Sequence, residues 1–219
     1  MVEPLPVGKR LLDHCGSGIA WEPADELHEA TARHDGETGL YEASIVLKAA
    51  SASCSSGSWD LHLLSWIGRG AEPGRYEMSV GFFHMKALST GRVRLRSASP
   101  VDEPVVQRGF LSRQEDLSTL LEALHLARAL AATDPVPALL GRELRPGAIE
   151  PERYLRDTVR NYFHPAGTYA LGEVVDAGCR VLGIDGLVVT DASIMPTIPR
   201  ANTNLSTAAI AERVASMLD

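Results

Sequence analysis

Long apolar runs, paired cysteines and excess positive charge are all missing from these 219 residues. No stretch approaches the roughly 20 apolar residues that span a bilayer. Met1 to Arg10 also lacks the basic, then apolar, then small-residue plan of a secretory leader. The expectation is a soluble cytoplasmic protein with no membrane span. Only three cysteines occur, Cys15, Cys54 and Cys179, with no Cys-x-x-Cys pair for zinc or a redox disulfide, so they read as buried or incidental thiols. Basic residues number 21 against 28 acidic ones, and a net charge of −7 would repel a phosphate backbone, which argues against nucleic-acid binding. The glycine fingerprint of nucleotide binding is absent too: Gly16-x-Gly18 is followed by Trp21 where a third glycine belongs, and Gly68-x-Gly70 by Pro73. There is no Gly-x-Ser-x-Gly elbow, and no histidine pair at helical spacing beside a carboxylate, so neither a serine nucleophile nor a metal is expected.

What is present is an ordinary globular composition, 45% hydrophobic, 22% charged and 5% aromatic. The length accommodates one domain with a real core, or two small ones, and is too short for two full α/β domains. Residues 1–23 read as an irregular lead-in to a strand, and 24–35 as a short solvated helix stopped near Gly36. Runs at Tyr41 to Ala49, Asp60 to Ile67, Tyr76 to Met85, Arg92 to Ser97 and Val105 to Phe110 then predict five strands. Their modest links favour an antiparallel sheet, since parallel strands would each need a crossover of about a dozen residues.

Helical patterns follow. Ser112 with Glu115 makes a capping-box signature ahead of the stripe Leu117, Leu120, Leu121, Leu124 and Ala131, predicting a helix over Ser112 to Ala132. A more polar helix is predicted over about Glu150 to Tyr162. Val174-Val175 and Gly186 to Asp191 look like short buried strands, and a polar turn from Asp191 to Asn204 feeds a terminal helix with Leu205, Ile210, Val214, Met217 and Leu218 on its apolar face. A buried strand running into a polar loop and a helix marks the place where α/β proteins bind ligands.

Two groups in this region carry chemistry. His164 lies between the aromatic pair Tyr162-Phe163 and the turn Pro165-Ala166-Gly167, which would hold its imidazole on a short rigid corner. It suits a general base, although a packed structural histidine has the same local pattern. Asn202-Thr203-Asn204 opens the terminal helix, either as a plain cap or as part of a cradle for developing negative charge. Asp13-His14 is a weaker candidate pair, readable as a local hydrogen bond.

Taken in order, His164-Pro165-Ala166-Gly167-Thr168, Val174-Val175-Asp176, Arg180 to Gly183, Gly186-Leu187, Asp191 to Thr197 and Asn202-Thr203-Asn204 with Ile210-Ala211-Glu212 resemble the C-terminal signature of glucose-methanol-choline (GMC) oxidoreductases. Leu5-Pro6-Val7-Gly8 to Asp13-His14 and Gly91 to Ser97 with Pro100 extend the resemblance upstream. It departs from the family where Tyr169-Ala170-Leu171 stands in place of the frequent Cys-x-Met before Gly172.

The resemblance implies an α+β protein. Residues 1–23 would be a lead-in contacting the FAD domain, 24–160 an antiparallel substrate-binding sheet with flanking helices, and 161–219 the C-terminal segment of an FAD-binding α/β domain whose N-terminal part is absent. It implies oxidation of a small-molecule alcohol by hydride transfer to FAD, with His164 and Asn202 as the catalytic pair. Asp191, Ala192, Asn202, Thr203 and Asn204 would contact the flavin. FAD would not be bound stably by this chain alone, and the partner would be an FAD-binding N-terminal half carried on a separate chain. Two alternatives remain at this point: a non-catalytic remnant or binding subunit, and a hydroxynitrile-lyase-like enzyme on the same fold.

Overall fold

The computed structural model describes residues 4–34 and 40–218. In chain order the elements are β1 (Cys15–Pro23), α1 (Asp25–His34), β2 (Leu40–Ala49), β3 (Leu61–Arg69), β4 (Tyr76–His84), β5 (Arg92–Arg94), β6 (Val105–Gln107), α2 (Gln114–Ala131), β7 (Leu140–Arg145), α3 (Pro151–Thr158) and α4 (Thr203–Ala215). They fall into two compact units. One contains Gly16–His84 and Gln114–Arg160; the other gathers Met1–Cys15, Met85–Arg113 and Asn161–Asp219. Residues 85–113 thus group with the two terminal segments, a grouping that no local pattern announces.

The first unit is a sheet carrying helices, the α+β arrangement expected from the strand runs. Five of the sheet's six strands follow the order β2-β3-β4-β1-β7, and the sixth, a two-residue strand at Arg160–Asn161, pairs with β1 off this path. The pairings β2–β3, β3–β4 and β1–β7 are antiparallel. Residues 15–23 are therefore not an irregular lead-in but an interior strand of the sheet. Their small side chains hid this because the strand is crowded: a Cβ on Gly16 would stand 2.2 Å from the Phe82 carbonyl oxygen and 2.4 Å from the Phe83 ring. The strand β7, which follows a short 3-10 turn at Val136–Leu139, was not expected after the two prolines.

Helix α2 buries Leu117, Leu120 and Leu124 of the stripe predicted for it, with Ala127 added, while Leu121 and Ala131 are only half-buried. Its Arg128 forms a two-pronged ion pair with Glu143 of β7 at 2.7 and 3.0 Å. In α3, Glu150 caps the first turn by accepting from the Glu152 and Arg153 amides, and Tyr154 donates its hydroxyl to the Gly18 carbonyl of β1 at 2.7 Å. The helix stops at Thr158, short of the predicted Tyr162. Helix α1 matches its expected span as far as His34; the stop foreseen at Gly36 lies outside the described residues.

In the second unit the Arg92 and Val105 runs do not join the sheet. They form a separate ribbon of three residues each, Arg92 opposite Gln107 and Arg94 opposite Val105. The ribbon ends early because Ser97 turns to donate to the Asp102 carboxylate at 2.6 Å. The strands foreseen at Val174-Val175 and Gly186 to Asp191 are also absent as strands. Left-handed glycines at Gly172, Gly183 and Gly186 close hydrogen bonds within turns, leaving only isolated bridges such as Val175 opposite Val181 and Arg180 opposite Val188. Val174, Val175, Cys179, Val181, Ile194 and Val214 still pack as one cluster, with Tyr169 against it, so the tyrosine that departs from the family pattern fills core volume. On α4, Val214 is buried and Leu205 is 81% exposed, and Met217 and Leu218 lie past its end at Ala215 and are about half exposed, contrary to the single apolar face expected of them. Among the described residues no helix is long and apolar enough to cross a membrane.

Candidate active site

Three stretches of the second unit converge on His164. The segment before β1 pairs with the histidine turn through reciprocal amide bonds between Leu12 and Ala166, both 2.9 Å, while Gly8 donates to the Thr168 carbonyl at 2.8 Å. The loop after residue 190 is laced to the far side of the same turn: Gly167 donates to Ala192 at 3.2 Å and Tyr169 to Ser193 at 2.8 Å. Leu12, Ala166, Met195 and Ile198 seal the junction as a small apolar cluster, with Ile210 of α4 packed against it.

The turn itself is strained. Phe163 holds a φ of 61° and stands 81% exposed, a backbone region few bulky residues occupy and one found at functional corners. Gly167, at φ 81°, passes so close to Leu12 that an added Cβ would meet its side chain at 3.0 Å.

Between these walls the His164 imidazole is nearly buried. Its Nδ1 lies 2.8 Å from Nδ1 of His14, the two rings meeting edge to face, and the Tyr162 ring stands edge-on at 4.6 Å. The other His14 nitrogen, Nε2, lies 2.9 Å from the Pro199 carbonyl oxygen. The His164 amide donates to Asp13 Oδ1 at 3.0 Å. Arg108 forms an ion pair with the second Asp13 oxygen at 3.6 Å, just beyond hydrogen-bond length. Burial pushes the Asp13 carboxyl up, opposed by the His164 amide and the Arg108 charge. Burial also pushes His164 below its ordinary value of about 6.5, which keeps the imidazole neutral near pH 7. A neutral histidine with one nitrogen tied back into the protein is the form a general base requires.

Asp191 and Ala192 form the turn next to Ala166 to Thr168. Asp191 caps that turn by accepting from the Ser193 amide at 2.8 Å. Pro165, Ala166, Thr168, Asp191, Ala192 and Ser193 line a cavity of about 410 Å³. The Ser193 hydroxyl oxygen is buried without a hydrogen-bond partner among the described residues. Asn202 occupies the N-cap position of α4 with an exposed side chain that makes no capping bond, so the plain capping reading of this residue does not hold. Thr203 is buried and Asn204 exposed. Asp13 and His14 are what local pattern undervalued. Their partner is 150 residues away, and the local sequence signal was an Asp-His pair that usually bonds to its neighbours.

A family model described as GMC oxidoreductase matches residues 87–211, more than half of the chain. The chain belongs to the GMC oxidoreductase family. Across 97% of its length it is 34% identical to a 5-(hydroxymethyl)furfural oxidase of Methylovorus sp. (strain MP688), of which it covers 43%. Over 65% of its length it is 34% identical to mitochondrial choline dehydrogenase of Mus musculus, covering 26% of that protein. Among solved structures, pyridoxine 4-oxidase from Mesorbium loti superposes with a TM-score of 0.76 at 23% identity, over 97% of this chain and 43% of that one. A formate oxidase variant from Aspergillus oryzae RIB40 superposes with a TM-score of 0.77 at 21% identity, over 96% and 47%. These superpositions show the fold. The chain thus spans less than half the length of these GMC relatives.

Proposed function

We propose that this chain supplies the proton acceptor and one wall of the flavin site in an FAD-dependent enzyme that oxidises an alcohol. The observation that carries this is His164. It is nearly buried, held neutral by its surroundings and anchored through Nδ1 to His14, and the turn after it is laced to Ala192 and Ser193 by backbone bonds from Gly167 and Tyr169. FAD fits the residues present: Ala192 and Ser193 line the 410 Å³ cavity next to the turn that follows His164, and the buried Ser193 hydroxyl has no hydrogen-bond partner among the described residues. Thr168, Ala192, Ser193 and the Asn202 to Asn204 start of α4 would hold its ring, with Asp191 acting through the turn it caps. When bound, FAD supplies the hydride acceptor for the carbinol carbon. His164 takes the hydroxyl proton from the substrate, so the alkoxide forms as the hydride leaves. Asn202 donates its amide to the substrate oxygen without competing for the proton.

The base must be unprotonated. Since burial lowers the His164 pKa, kcat/KM is expected to rise with pH through a value below about 6.5 and to stay level above it. The same shift makes the folded state bind fewer protons than the unfolded one between the two pKa values. Its stabilising contribution is therefore present above about pH 6.5 and lost as pH falls through the lower, folded value. A pH–rate profile limited above 6.5 would contradict the assignment.

The rest of the FAD-binding domain, we infer, is contributed by a separately produced half. Leu171, Leu182, Ile184 and Leu187 of the second unit stand 38 to 45% exposed and would be covered by it. Purified alone, the chain is then expected to show little flavin absorbance. Co-production with an FAD-binding half should bring bound FAD and alcohol turnover. Stoichiometric flavin on the isolated chain would overturn the division.

A further inference from the structure

The hydrogen-bond chain around His164 decides which of its two nitrogens is the base. A carbonyl oxygen can only accept, so the 2.9 Å contact between His14 Nε2 and the Pro199 oxygen requires a proton on His14 Nε2. His14 is completely buried, where a charged ring is expensive, and a neutral imidazole carries a single N–H. Its Nδ1 is then a bare acceptor. The group facing that nitrogen at 2.8 Å is His164 Nδ1, which must donate. The proton of a neutral His164 is thereby placed on Nδ1, leaving the lone pair on Nε2.

We propose that His14 is a positioning residue that locks His164 in its Nδ1–H tautomer, so that Nε2 is the atom that accepts the substrate proton. This rests on the reading of His164 as the base, and adds to it a residue and an atom.

The surroundings of the pair favour a fixed geometry. Asp13, next to His14 in sequence, accepts the His164 amide, so one dipeptide grips both backbone and ring of the base. The backbone also closes on the pair from the other side, where Tyr162 donates its amide to the His14 carbonyl at 3.0 Å. The residues just before Pro199 are tied down by Lys86, whose ammonium donates to Thr197 Oγ1 at 2.6 Å and to the Ile198 carbonyl. The relay therefore ends at a backbone acceptor that cannot take up a proton. His14 accordingly orients the base and does not carry its proton away.

Histidine-selective 15N labelling of the full 219-residue chain, at mildly alkaline pH, reads the tautomers directly. The expected pattern is a protonated Nδ1 and a bare Nε2 on His164, with the reverse on His14. His14→Asn keeps an acceptor near the Nδ1 position and should preserve the His164 pattern, whereas His14→Phe keeps ring volume, removes the acceptor and should move His164 to the Nε2–H form. A protonated Nε2 on His164 in the wild-type chain, or two protonated nitrogens on His14, overturns the proposal. The wild-type spectrum decides even where His14→Phe fails to fold. In the completed enzyme, His14→Phe should lower kcat by about 10²-fold or more, as histidine bases held in the wrong tautomer do. His14→Asn should recover most of that loss. The two readings fail differently. If His164→Ala retains turnover while the 15N pattern is as expected, the base assignment is wrong; if His164→Ala abolishes turnover and the pattern is absent, the role of His14 is wrong.

Discussion

Replacing His164 with alanine is expected to reduce alcohol turnover by about 10²- to 10⁴-fold in the flavin-loaded complex, the usual contribution of a positioned general base. The loss should fall on kcat and kcat/KM together, because the proton is transferred in the transition state and His164 is not required to hold the ground-state alcohol. Flavin content should change little: the turn that lines the cavity is fixed by backbone bonds from Gly167 and Tyr169, which an alanine at 164 leaves intact. Full turnover with a normal flavin spectrum would remove His164 from the mechanism. Loss of the flavin as well would instead indicate that the ring props the cavity wall.

The second large effect is structural. Phe82 is completely buried in β4, opposite Leu63 of β3, and its carbonyl lies where a Cβ on Gly16 would fall. Phe82→Ala removes the largest fully buried side chain of the sheet and leaves a cavity that β1 and β3 can fill only by shifting. The expected loss is about 3–5 kcal/mol, or roughly 6–20 °C in the melting midpoint for a chain of this size. Thermal or urea unfolding followed by circular dichroism checks it, with the exposed Leu205→Ala as the comparison that should stay within about 0.5 kcal/mol. Equal effects at the two positions would mean that the sheet core is not where the stability resides.

Both variants show how unevenly the structure was legible. Strands β2, β3 and β4 declared themselves through β-branched and aromatic runs, and α2 through a leucine stripe whose period follows from burial of one helix face. Strand β1 did not. An interior strand crowded by a neighbour selects Cys, Gly and Ser, the residues that also make loops, so its sequence reads as a connection. The region 172–191 misled in the opposite sense: Val174 and Val175 are buried as expected, Val188 and Val189 only partly so, and left-handed glycines close every few residues into turns before a ladder can extend.

For the site, the sequence by itself determined the base candidate, the rigid Pro-x-Gly corner after it and the helix start at Asn202, since each depends on neighbours only a few positions apart. Family resemblance made the same residues chemically specific. Tertiary structure alone decided what His164 touches. Asp13 and His14 come from one stretch, and Arg108 and Pro199, which stand behind them, from two others, and a hydrogen bond across 150 residues has no local periodicity or spacing to betray it. The identity of the proposed base is therefore written in the sequence. The state of that base, its tautomer and its neutrality, is set by burial and by partners that only folding brings within 3 Å.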